Sequence, residues 1–138
     1  MSSAVVIMQK TTLTLITIAD GKETRETYEA ELKLENDSAI LRYQTDDGIS
    51  KITLAKGYAE VERTGEYALF LPLKEGESSQ GRLSVLGANG SLALQTDGVE
   101  YSQNASGIMF RLKYRLLFNE EKQEMRVSGY ARINGEKK

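Results

Sequence analysis

The stretch that decides the fold is Ile108-Met109-Phe110-Arg111-Leu112-Lys113-Tyr114-Arg115-Leu116-Leu117-Phe118, in which apolar and basic side chains alternate. Every second position is apolar or aromatic, and Arg111, Lys113 and Arg115 stand between these positions. Side chains two residues apart lie on the same face of a β-strand, whereas a helix would scatter them around its axis. The stretch is therefore predicted to be a strand with one buried and one solvated face.

The same alternation continues on either side of this strand. Downstream, Met125, Val127 and Ala131 oppose polar neighbours, so residues 119–122 are expected to form a short hairpin loop. Upstream, turn signals such as Asp20-Gly21 and Asn89-Gly90 recur at a spacing of roughly 8–12 residues, which is typical of all-β sandwiches and barrels. The segment Gly87-Ala88-Asn89-Gly90 is predicted to be a hairpin turn and not a phosphate-binding loop, because no helix follows it.

These patterns predict an all-β fold, a single antiparallel up-and-down β-barrel of about 8–10 strands, because closure leaves no unpaired edge strand. A chain of 138 residues has the length of one domain, so residues 1–138 are expected to form the barrel, with 134–138 as a flexible tail. Gly65 and Gly98 interrupt apolar patterns without a polar loop, and we predict a β-bulge at each.

Composition excludes several classes of function. The chain has no cysteine and no histidine, so it offers no disulfide, no thiolate site and no Ser-His-Asp or Cys-His arrangement. We therefore expect neither an enzyme nor a cofactor. The net charge of −2 argues against nucleic acid as a partner. The apolar stretch Ala4-Val5-Val6-Ile7-Met8 is too short for a membrane span and has no basic residue before it, so it is expected to open a strand of a cytoplasmic protein.

Arg63 is a charged residue whose predicted position is not on the solvated face of its strand. Ala59, Val61 and Arg63 share one strand face, so Arg63 is predicted to point into the barrel. A buried guanidinium needs a carboxylate partner or an anionic ligand. Glu66 is the candidate partner. Residues that could accompany Arg63 in a ligand site are Arg42, Tyr43, Glu66 and Tyr67. Two interpretations stay open, an ion pair that closes one barrel end and a site for a small amphipathic anion.

Short motifs spread over nearly the whole chain carry a family resemblance. They include Tyr28-Glu29-Ala30-Glu31-Leu32, Leu41-Arg42-Tyr43 and, as the most distinctive piece, Arg63-Thr64-Gly65-Glu66. Through them the chain resembles the YwiB-like family, bacterial proteins of unknown function in which an Arg-Ser/Thr-Gly-Glu motif recurs. Those proteins carry a Tyr-Glu-Thr-Pro-Tyr-Gly-like stretch before the eighth strand, where this chain has Leu83-Ser84-Val85-Leu86-Gly87-Ala88-Asn89-Gly90. The resemblance implies a calycin-type, lipocalin-like β-barrel and leaves the function open.

Two classes of function follow from these observations. The favoured one is a non-enzymatic barrel that binds a small apolar or amphipathic anion in its interior. The alternative is an interaction module with a filled core, acting as a homodimer or through a partner on the outer sheet face, where Arg111, Lys113 and Arg115 lie opposite Glu-rich strands. An open apolar cavity would favour the first class and a filled interior the second.

Overall fold

The protein folds into ten antiparallel strands that close into one barrel, as described by a computed structural model for residues 7–118 and 120–133. Each strand pairs with its neighbours in sequence, and β10 returns to pair with β1. The predicted up-and-down barrel is confirmed. The apolar residues 4–6, Asn119 of the predicted loop and the predicted tail 134–138 lie outside the described residues. The strands are β1 Ile7–Ala19, β2 Lys22–Leu34, β3 Ser38–Thr45, β4 Gly48–Ala55, β5 Tyr58–Gly65, β6 Tyr67–Lys74, β7 Ser78–Val85, β8 Ala88–Asn104, β9 Gly107–Phe118 and β10 Glu121–Arg132.

The strand predicted from residues 108–118 is β9, which pairs with β10 along its whole length from Gly107 opposite Arg132 to Phe118 opposite Glu121. Phe110, Leu112 and Tyr114 are buried, while Arg111 and Lys113 face solvent. The alternation therefore has the physical origin that the sequence indicates, since one face of each strand lines the barrel and the other meets water.

The turn before β8 differs from the prediction. Asn89 and Gly90 lie inside β8, opposite Ser84 and Leu83, and the connection is made by Leu86 and Gly87. Both have positive φ angles, 51° and 82°, as a two-residue type I′ hairpin requires. The prediction of a turn at Asn89-Gly90 was wrong because the strand register placed a leucine in the conformation that asparagine usually adopts.

The two predicted bulges had different outcomes. A shift of register between Thr96 and Gly98 confirms the bulge in β8. Gly65 does not form a bulge, because it ends β5 directly opposite Gly48. A Cβ atom on Gly65 would lie 2.1 Å from the carbonyl oxygen of Asp47, so glycine is required by close backbone approach at a tight corner.

The two ends of the barrel interior differ in chemistry. We call the end with the connections at residues 20–21, 46–47, 66 and 86–87 the Gly65 end. Toward the opposite end, one cross-strand row of inward side chains is apolar and buried; it consists of Leu34, Ala39, Leu54, Ala59 and Leu73. The next row is likewise apolar; it consists of Leu32, Leu41, Ile52, Val61 and Leu71. In β2 to β6, side chains thus fill the barrel through its middle and far end, and polar inward side chains begin in the following row, toward the Gly65 end, which contains Tyr43, Ser50 and Arg63.

Candidate functional site

The polar row at the Gly65 end is built by strand register. Tyr43 lies opposite Ser50, Ser50 opposite Arg63, and Arg63 opposite Leu69. All belong to the inward-facing alternation of their strands, so the guanidinium meets the interior and not the outer surface. Ser50 is 1% exposed, and its hydroxyl accepts a hydrogen bond of 3.0 Å from Arg63 Nε. Arg63 itself is half-buried.

The barrel wall opens beside Arg63. The ladder between β5 and β6 ends at the pair Arg63–Leu69, after which β5 continues against β4 and β6 continues against β7. Tyr67 lies in the corner that separates them. Its hydroxyl accepts a hydrogen bond of 2.6 Å from Arg63 Nη1, and the guanidinium carbon lies 5.9 Å from the centre of its ring. A cation–π contact and a hydrogen bond therefore hold the guanidinium from one side.

Glu66, the candidate carboxylate partner, does not pair with Arg63. Within residues 7–118 and 120–133, no ion pair includes Arg63. Glu66 is exposed, and its backbone N–H donates to the carbonyl oxygen of Asp47 across the corner. Burial lowers the pKa of Arg63, but its contacts with Tyr67 and Tyr43 raise that pKa by more, so the group stays charged. Among the described residues, the cation is consequently held by hydroxyl groups and by the ring of Tyr67, and by no carboxylate.

A line of phenols extends the site around the rim. Tyr43 is buried and interacts with both Ser50 and Arg63, and burial raises its pKa. The ring of Tyr28 lies 4.7 Å from that of Tyr43 at a tilt of 33°, and the Tyr28 hydroxyl donates a hydrogen bond of 2.8 Å to Glu26 Oε1. Burial and the bond to Glu26 raise the pKa of Tyr28 to about 12. Burial also raises the pKa of Tyr114, which interacts electrostatically with Tyr43 and Arg63, to about 12. These phenols are neutral hydrogen-bond donors near neutral pH.

The structure thus brings together three of the residues selected from the sequence, Arg63, Tyr43 and Tyr67. Arg42 lies on the outer face of β3 and is exposed, because it is one residue out of phase with Tyr43. Glu66 takes no part in the cluster. Arg42 and Glu66 are therefore not placed at the site.

Sequence reasoning missed Ser50, Tyr28 and Glu26. Ser50 carried a usable signal, since it occupies the inward position that precedes Ile52 and Leu54 on the same strand face. Tyr28 and Glu26 carried the same alternation, ahead of Ala30 on β2, but nothing in the sequence showed that they lie near Tyr43.

Exposed apolar side chains flank the site at the β7–β8 turn. Val85, opposite Tyr67, is 40% exposed, and Leu86 is 96% exposed in its left-handed conformation. On the outside of the same wall, a groove of about 600 Å³ is bordered by Arg63 and lined by outer side chains such as Phe70 and Arg82. The guanidinium of Arg82 lies 5.5 Å from the centre of the Phe70 ring. The surroundings of Arg63 therefore combine a cation, neutral donors and exposed apolar surface.

The described part of the chain offers no metal centre, since in it no three acidic side chains are grouped to hold an ion. It also contains no helix that is long and apolar enough to cross a membrane.

These features define a class of protein, a closed ten-stranded antiparallel barrel with a filled interior and, at one end, a cation that no carboxylate among the described residues pairs with. Within this class, the chain belongs to the DUF1934 family, a domain of unknown function whose family model matches residues 10–127. The crystal structure of the YwiB protein from Bacillus subtilis is similar, with a TM-score of 0.75, 12% sequence identity, and coverage of 93% of this chain and 94% of that one. The resemblance to the YwiB-like family is thereby confirmed, and at this identity the structural likeness shows the fold alone. No curated protein sequence matches the chain.

Proposed function

We propose that the protein binds a small amphipathic anion, with the charged head at Arg63 and the apolar part over the adjacent rim. The observation that carries this proposal is the half-buried guanidinium held by Ser50 and Tyr67 with no carboxylate partner in the described residues. Removing a charge from water is unfavourable unless an opposite charge compensates it. Because the described residues supply no such charge at this position, a bound anion is the simplest source of it.

The hydrogen-bonding capacity of the cluster supports the same conclusion. A guanidinium has five N–H donors. Ser50 and Tyr67 use one on Nε and one on Nη1, which leaves donors for a ligand. Arg63 and the neighbouring phenol of Tyr43 could therefore bind the two oxygens of a carboxylate, a geometry for which arginine is well suited.

The filled core limits how the ligand binds. Leu32, Leu41 and Leu54 are fully buried across the barrel, so a long chain cannot enter as it does in a hollow barrel. An apolar tail would instead lie against Val85 and Leu86, which are exposed beside the Arg63 corner. We propose a binding protein and not an enzyme, since the sequence has neither histidine nor cysteine.

The test is a heteronuclear NMR titration with hexanoate and decanoate of the wild type, Arg63→Met and the matched control Arg42→Met. Arg42 is the same residue type on the outer face of β3 in the same barrel. A charge-assisted hydrogen bond contributes about 1.5–3 kcal/mol, so Arg63→Met should weaken binding by roughly tenfold to 100-fold. Arg42→Met should bind like the wild type.

Arg63→Met would leave the buried Ser50 hydroxyl without its donor, so the double variant Arg63→Met/Ser50→Ala is titrated as well. It removes cation and hydroxyl together and should fold while failing to bind. Absence of carboxylate binding to the wild type, or equal binding to the Arg63 and Arg42 variants, would refute the proposal.

A second candidate function is an interaction module, which the filled interior favours. On the outer face, Met109 lies opposite Tyr130, and both are exposed large side chains. Methionine and tyrosine are enriched in protein interfaces. Sedimentation velocity over a range of concentrations tests the homodimer, and a self-association that Tyr130→Ser abolishes would support this candidate. A monomer at all concentrations would contradict the homodimer.

A further inference from the structure

We infer that the Arg63 site selects anions that carry a single charge, and that Glu26 enforces this selection. The inference rests on the proposed function, since it assigns the charge of the ligand at the same site. It makes Glu26 a specificity-determining residue for that ligand.

The position of Glu26 follows from two contacts. By alternation, Glu26 shares the inward face of β2 with Tyr28 and the buried Ala30, and it is exposed where that face reaches the rim of the barrel. Its Oε1 atom accepts the hydrogen bond of 2.8 Å from the Tyr28 hydroxyl, and the Tyr28 ring packs on that of Tyr43 at 4.7 Å. Tyr43 in turn adjoins Ser50 and Arg63. The carboxylate is therefore fixed by Tyr28 on the same rim as the guanidinium, with Tyr28 and Tyr43 between them.

The electrostatic effect of Glu26 extends across this line of rings. Its charge contributes to the raised pKa of Tyr28 and also to that of Tyr43, the residue that adjoins Arg63. No ion pair in the described ranges includes Glu26, so no cation in them cancels its charge at close range. A carboxylate group bound at Arg63 would thus also be repelled by the negative charge of Glu26.

Arg63 and its hydrogen-bond partners together carry one positive charge, which one negative charge on a ligand would neutralise. Arg63 supplies a single positive charge, and its partners Ser50, Tyr67 and Tyr43 are neutral hydroxyl groups. A monoanion neutralises the guanidinium. A dianion would leave its second charge unpaired in a half-buried site and facing Glu26, and both effects disfavour it.

The experiment compares hexanoate with butylmalonate near neutral pH and at low ionic strength. The two ligands share the same butyl tail, and butylmalonate carries a second carboxylate on the same head carbon. Affinities are measured by NMR titration for the wild type, Glu26→Gln and the control Glu29→Gln. Glu26→Gln keeps an oxygen that accepts from Tyr28, while Glu29 is an exposed residue on the outer face of the same strand.

The measured quantity is the ratio of the butylmalonate Kd to the hexanoate Kd. We expect Glu26→Gln to lower both Kd values and to lower this ratio by about two- to threefold, because Glu26 repels each carboxylate charge of the bound head and butylmalonate carries two of them. Glu29→Gln should leave the ratio unchanged. High salt should bring the wild-type ratio closer to that of Glu26→Gln, since salt screens the repulsion from Glu26.

Failure of the inference is distinguishable from failure of the proposed function. If hexanoate binds in an Arg63-dependent way but the ratio is the same in Glu26→Gln and the wild type, selection by Glu26 is refuted and anion binding stands. If hexanoate does not bind the wild type, both are refuted.

Discussion

Replacement of Leu86 by asparagine is expected to stabilise the protein and, at the same time, to weaken binding of long-chain anions. Leu86 and Gly87 form the two-residue turn between β7 and β8, with φ angles of 51° and 82°. Leucine is an unusual residue in the first of these positions, where asparagine and aspartate are strongly preferred. The substitution keeps the turn type and changes the residue that adopts it.

The structure sets the magnitude. Leu86 is 96% exposed, so its removal sacrifices almost no buried apolar area. A left-handed conformation disfavours an ordinary L-residue by about 1–2 kcal/mol, and asparagine tolerates it better. Part of that strain should be relieved, which raises the free energy of unfolding by about 0.5–1 kcal/mol and the Tm by roughly 2–4 °C.

Urea unfolding followed by circular dichroism measures the change. The turn at Asp20 and Gly21 provides a reciprocal control, because its φ angles are 52° and 84°. Asp20→Leu should lower stability, and by more than Leu86→Asn raises it, since Asp20 Oδ1 also accepts a hydrogen bond of 3.1 Å from the backbone of Glu124.

Ligand titrations test whether Leu86 contributes to binding affinity. Leu86→Asn should weaken decanoate binding and leave acetate binding unchanged, because acetate has no tail to lie on the rim. A fall in stability would refute the reasoning about strain and show that Leu86 makes a stabilising contact. An unchanged decanoate affinity would refute its role in the rim.

Two further predictions concern stability and pH. Gly129→Ala should lower the free energy of unfolding by about 1–3 kcal/mol, because the new Cβ atom would lie 2.1 Å from the ring of the buried Phe110, and the double variant with Phe110→Leu should recover part of the loss. Gly98→Ala, with nothing within 4 Å of its Cβ position, is the control, and an equal loss in both variants would contradict the packing argument. Tyrosinate absorbance should show at least three phenols ionising well above the ordinary tyrosine pKa of 10.0, since burial raises the pKa of Tyr28, Tyr58 and Tyr114 to about 12. Because the folded state holds these protons more tightly, their contribution to stability is present below pH 10 and falls as the pH rises toward 12. Ionisation of all tyrosines near the ordinary value would contradict this prediction.

The alternation of apolar and polar residues was sufficient to predict which face of a single strand is buried. Alternation along β9 indicated its buried face, and the same rule placed Arg63 on an inward face with Ala59 and Val61. It was insufficient at the β7–β8 turn. Asn89-Gly90 has the stronger turn chemistry, yet those residues pair with Ser84 and Leu83 and the turn falls on Leu86-Gly87. The local preference of Asn-Gly for a turn is outweighed by the strand register, because the register determines which face of β8 is buried.

The amino-acid sequence by itself determined that this protein is a closed β-barrel, that its buried face is apolar and that one arginine interrupts that face. Side-chain periodicity is a property of each strand alone, so it can be read without knowing the neighbours. Only the tertiary structure decided that Arg63 meets Ser50 and Tyr67 and not Glu66, and that Glu26 reaches the same rim through Tyr28 and Tyr43. Those contacts join β2, β3, β4, β5 and β6, and their partners are set by the register of the closed barrel, which no single strand encodes.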